Sequence, residues 1–170
     1  MDSRFKKIFL IASIVVPFLA YCVYYYAGVF KNAPYKFTEF DSIVFQYGQG
    51  DSLVNKFNSK TGDYQFVNSR DSLVKMHLHL PKADLLYLHR KAAELGFWDF
   101  PSVEVGDTTI KHDGMKPPRY LIEFNYKRKS KKVLYDASFD GDPKLKDANE
   151  QMVKQILKVL EDEEGKQKKN

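Results

Sequence analysis

After Cys22 the chain holds no cysteine at all. That excludes an internal disulfide downstream, and it excludes any zinc site built on thiolates. The sequence also lacks a P-loop, a GxGxxG turn, a GxSxG elbow, an HExxH helix and a CxxC pair. Phosphate cradling, dinucleotide binding, elbow-type hydrolysis and the common zinc peptidase chemistry therefore have no signature here. Charge is missing from one place in particular. Residues 8–30 carry none.

That uncharged run is 23 residues long. As a helix it spans roughly 34 Å, enough to cross a hydrocarbon core of about 30 Å. A lipoprotein signal needs a small residue before the cysteine and a polar stretch after it. Here Tyr21 precedes Cys22 and "VYYYAGVF" follows. A cleaved secretory signal needs small residues one and three positions before the cut. Ala20, Ala27 and Ala33 fail this, because Phe18, Tyr25 and Lys31 stand two residues before them. An uncleaved anchor remains. Arg4, Lys6 and Lys7 precede the run against a lone Asp2, which puts the N-terminus in the cytoplasm and the rest outside. Tyr21, Tyr24, Tyr25 and Tyr26 gather towards the far end, at headgroup level. Cys22 is then an ordinary membrane-facing residue.

The formal charge is +5, of which the four N-terminal charges supply +2. The remaining +3 is spread over many residues of both signs, too mild a bias to indicate nucleic acid. The expected organisation is a cytoplasmic N-terminus over 1–7, an anchor over 8–30, a linker over 31–39, one domain over 40–164 and a flexible basic tail over 165–170. A domain of that length can bury a core without covalent staples.

Within it, residues 40–47, 53–58 and 64–68 read as strands separated by glycine-bearing turns. Residues 73–80 ("LVKMHLHL") alternate, with Val74, Met76, Leu78 and Leu80 on one face and Lys75, His77 and His79 on the other. After Pro81 the period changes to that of a helix, with Leu85, Leu88, Ala92 and Leu95 on one stripe and Gly96 as its stop. Phe97, Trp98 and Phe100 follow and are expected against the core. Residues 102–118 form a polar connection long enough to be functional or to hide a short strand. Residues 119–126 and 133–137 read as a hairpin with a basic tip. Asp142 and Pro143 then open a closing helix, expected to end near Glu164 with Met152, Ile156, Val159 and Leu160 buried. The fold class is α+β: an N-terminal transmembrane helix, then an antiparallel sheet with two helices packed on one face. The succession of "FDSIVFQYG", "LGFWDFP", strand, basic turn, strand and amphipathic helix resembles a group of small uncharacterised bacterial envelope domains. That resemblance implies location and fold, and supplies no catalytic residue.

Three sets of residues invite chemistry. His77 and His79 share a strand face and could offer two imidazoles to one metal, but spacing places no third ligand, so no metal or cofactor is expected. Asp107, Thr108, Thr109, His112 and Asp113 bring an acid, hydroxyls and an imidazole into one loop. No geometry links them, and an exposed loop more often serves recognition than catalysis. Lys127, Arg128, Lys129, Lys131 and Lys132 make the densest positive stretch, a solvated hairpin tip or a contact for anionic lipid headgroups.

The sequence reading is thus a single-pass protein of the bacterial cytoplasmic membrane with an extracytoplasmic α+β domain. That domain is a non-catalytic binding module for other envelope proteins, through Asp107, Thr109, His112, Asp113 and the basic hairpin. The competing readings are an envelope hydrolase, metal-assisted through His77, His79, His112 and Asp113, and a module for anionic membrane surfaces. A cytoplasmic-facing adaptor is a further alternative.

Overall fold

The computed structural model describes residues 3–31, 35–106 and 116–168, and the side chains of 9–25, 35–106 and 116–168. The chain divides into two compact units, Met1–Tyr35 and Lys36–Asn170.

The first unit holds helix α1, Ser3–Lys31, with Pro17 inside it. Its described side chains, Phe9 to Tyr25, are exposed apart from the half-buried Cys22. Ile14 is 67 % exposed and Val23 70 %. Among the described residues no helix is long and apolar enough to cross a membrane. The structure establishes a helix here, and not a membrane span.

The second unit is α+β. After a 3₁₀ turn at Phe37–Glu39 come β1 (Phe40–Gln49), β2 (Ser52–Asn58), β3 (Asp63–Val67) and β4 (Leu73–His77). Helix α2 (Lys82–Glu94), a second 3₁₀ turn (Phe97–Asp99) and β5 (Val103–Glu104) follow. The chain closes with β6 (Pro118–Tyr126), β7 (Ser130–Asp136) and α3 (Pro143–Gln167). The strands form one sheet in the order β4-β3-β2-β1-β6-β7-β5.

Register decides which side is buried. Ile43 pairs with Phe124, Phe45 with Ile122 and Tyr47 with Tyr120, while Ile122 pairs with Val133 and Tyr120 with Tyr135. Cross-strand partners share a face, so these side chains form one apolar surface. Phe57 and Tyr64 extend it through β2 and β3. Both domain helices reach this surface. On α2, the His89 ring meets the Tyr126 hydroxyl at 2.8 Å. On α3, Glu150 accepts from the Tyr135 hydroxyl at 3.2 Å. The helices join where the Tyr87 hydroxyl donates to Gln155 at 2.7 Å. The opposite face carries Gln46, Lys56, Gln65, Lys75, Glu123 and Lys132, the polar half of the alternation.

The expected α3 stripe holds, with Met152, Ile156, Val159 and Leu160 buried, while on α2 Leu88 and Ala92 are buried and Leu85 and Leu95 half-buried. Gly96 takes a left-handed φ of 73° where α2 stops, as a residue without Cβ can do cheaply. The chain then drops Phe97 and Phe100 into the core, with Trp98 edge-on to Phe124 at 5.3 Å. Each such aromatic pair contributes about 0.5–1.5 kcal/mol beyond its buried area. Asp142 caps α3 by accepting from the Lys144 amide at 2.9 Å, with Pro143 in the first turn.

Two expectations are corrected. The sheet is mixed, because β5 runs parallel to β7, with Val103 opposite Leu134 and Glu104 opposite Tyr135. A strand of two residues is too short to show periodicity. The closing helix also continues past Glu164 into the stretch read as a tail. Lys166 pairs back to Glu163 and Lys168 to Glu164, cation C-terminal to anion, which is the supportive order on a helix.

Candidate functional site

A groove of about 560 Å³ runs between α3 and the hairpin of β6 and β7. Its helix wall repeats at three- and four-residue spacing: Glu150, Val153, Lys154, Leu157, Lys158 and Glu161. This stripe lies beside the buried one, so the same helix both closes the core and borders an opening. Tyr120 and Tyr135 line the groove from the sheet. Their rings lie 6.1 Å apart and 20° from parallel, and Tyr47 continues the ladder 6.3 Å from Tyr120. Burial, with the Glu150 carboxylate nearby, raises the pKa of both Tyr120 and Tyr135. The hydroxyls therefore stay neutral. The groove offers apolar wall, phenolic hydroxyls and a rim of two carboxylates and two ammonium groups.

Under the start of this helix sits a buried polar pair that no sequence pattern marked. Glu104 is 1 % exposed and Asn149 0 %. The Asn149 amide donates to Glu104 Oε2 and, at 2.9 Å, to the Leu145 carbonyl. Among the described residues, Glu104 Oε1 and Asn149 Oδ1 have no partner. Burial pushes the Glu104 carboxyl up to about 7, against the Asn149 hydrogen bond and the Lys131 charge, which favour the anion. Both orphaned atoms are acceptors, so a proton on Glu104 relieves the arrangement.

A second buried ionic site pins the end of the hairpin. Asp136 is 2 % exposed and accepts from Arg119 Nε and Nη2, each at 3.1 Å. Its other oxygen accepts from the Ser138 amide at 2.9 Å and hydroxyl at 2.7 Å. Arg119 reaches on to the exposed Asp51.

The sequence candidates fare differently. His77 and His79 are both exposed. The His77 ring fills the space above Gly62, where an added Cβ would come within 2.4 Å of it. Among the described residues no group of three or more His, Cys, Asp or Glu could hold a metal ion. Asp107, Thr108, Thr109, His112 and Asp113 lie outside the described residues.

The basic stretch is not one patch. β7 begins at Ser130, so Lys131 and Lys132 are strand residues on opposite faces. Lys131 turns inward to donate to the Phe100 carbonyl, and burial lowers its pKa. Lys132 stands opposite Glu123 on the polar face. Lys127 and Arg128 are the exposed tip, with Lys129 half-buried beside them. Arg128 donates through Nε to Glu39 at 3.1 Å and through Nη2 at 2.5 Å.

Compared with protein-family models, curated proteins and solved structures, the chain matches none.

Proposed function

We propose that the chain is a single-pass membrane-anchored protein whose α+β domain is a non-catalytic binding module. The groove between α3 and the β6–β7 hairpin is its binding surface. The anchor rests on the 23 uncharged residues 8–30 and on the exposure of the apolar side chains that α1 shows. The charge bias of the N-terminus favours a domain on the extracytoplasmic side of a bacterial cytoplasmic membrane.

The groove itself carries the binding reading. It is open, mostly apolar and bordered by charges of both signs, which suits a segment of another envelope protein. Glu104, the carboxyl poised near neutrality, is 1 % exposed and does not line the groove. Tyr135 and Glu150 satisfy each other. Nothing in this set supplies an activated nucleophile with a base in reach.

Site-directed photo-crosslinking in native membranes tests this. A photoreactive side chain at position 157, in the groove, should give a discrete protein adduct. The same group at position 65, on the polar sheet face, should not. Adducts from position 65 alone, or from neither, contradict the groove as the binding surface.

A further inference from the structure

The basic tip of the β6–β7 hairpin is tied to the place where the chain enters the domain. Lys127 donates its backbone amide to the Glu39 carbonyl at 2.9 Å, and the Glu39 amide in turn bonds the Lys36 carbonyl at 3.0 Å. Arg128 clasps the Glu39 carboxylate with two donors. Lys36, Lys127 and Arg128 thus surround one carboxylate, and all three are exposed. They hold the Glu39 carboxyl below its usual range, with the Arg128 hydrogen bond as the largest cause. Three cations against one anion leave this corner positive.

Connectivity adds the second half. Five residue steps separate Lys31, where α1 ends, from Lys36, and a chain of that length reaches at most about 18 Å. If α1 lies in a bilayer, Lys36 cannot stand far from its surface, and the hairpin tip is hydrogen-bonded to the residues beside Lys36. The edge strand β4, three strands from β1, has no such tether among the described residues. From this the geometry points to an anionic lipid headgroup surface as the partner of Lys36, Lys127 and Arg128. Contact there fixes which end of the domain faces the membrane and leaves the α3 groove to other partners. This inference rests on the anchor reading proposed above. The chemistry is that of juxtamembrane basic clusters, where ammonium and guanidinium groups meet phosphate within a Debye length of the bilayer.

The test uses the full chain in nanodiscs of phosphatidylcholine alone or with phosphatidylglycerol. Lysine acylation rates are read by mass spectrometry, with Lys75 of β4 as internal reference. Relative to Lys75, Lys36 and Lys127 should be acylated roughly fivefold more slowly in anionic discs, and high salt should abolish the difference. Equal ratios in the two kinds of disc overturn the inference while the anchor reading stands. If the chain does not enter phosphatidylcholine discs at all, the anchor reading fails and the inference fails with it.

Discussion

Asn149 donates its side-chain amide to Glu104 Oε2, and the partner oxygens left over, Glu104 Oε1 and Asn149 Oδ1, meet no donor among the described residues. A buried carboxyl in that position is more stable with a proton. Its folded pKa, about 7, lies above the ordinary carboxyl value of 4.5, so the folded state holds a proton that the unfolded chain has already released. Between these two values stability falls as pH rises, by up to about 3 kcal/mol, and it levels off above 7. Glu104→Gln should remove this slope. A glutamine amide supplies a donor for Asn149 Oδ1 and an acceptor for Asn149 Nδ2, so the variant should be the more stable protein at pH 8. Denaturant titrations of both proteins at pH 5, 6.5 and 8 check this. A parallel pair of stability curves refutes it.

His89 produces the opposite slope. Burial, followed by the Arg90 charge, lowers its pKa below 6.5. The unfolded chain then takes up a proton that the folded domain refuses, and stability is lost as pH falls through 6.5. A His89→Gln variant should show a weaker acid-side loss than the native chain, even if it is less stable throughout. The same titrations, extended to pH 4.5, read the difference.

Asp136 and Asp51 both bind Arg119, in very different surroundings. Asp136 is 2 % exposed on its side chain, and Asp51 is 80 % exposed. Removing Asp136 leaves a guanidinium that is itself only 17 % exposed without its buried counter-ion. Asp136→Ala should cost about 3–5 kcal/mol, whereas Asp51→Ala should leave stability nearly unchanged. Equal effects of the two substitutions would show that the burial of Asp136 is not what matters.

Gly62 holds a φ of 73° with the His77 ring against it. Gly62→Ala meets both a left-handed backbone and a clash, and should destabilise by about 1–3 kcal/mol. Adding His77→Ala should recover the steric part and leave the backbone part. Recovery of none would place the whole cost in the backbone.

Local patterning made most of the domain readable in advance. "LVKMHLHL" alternates, so its two faces follow from period two, and Leu78 and Leu80 are indeed buried while His77 and His79 are exposed. Asp142, Pro143 and Gly96 act within a few residues, so helix ends could be placed to within a few positions. The site was far less legible. Glu104 is buried only because β5 pairs with β7, some thirty residues on, and because Asn149 arrives from α3. Neither contact leaves a mark in the local sequence. The basic run misled for a related reason. Lys131 and Lys132 are consecutive in sequence, but a strand sends them to opposite faces. Only the point where β7 begins separates them from the tip.

The central claim is an uncleaved anchor that tethers a binding domain on the outer side of a membrane. Protease treatment of spheroplasts, with intact-mass analysis of the carbonate-resistant membrane fraction, tests it most directly. The account predicts a membrane-retained chain that keeps residues 8–30 and loses its domain to external protease. A chain released by carbonate, cut before Lys36, or protected until the cells are lysed would contradict it.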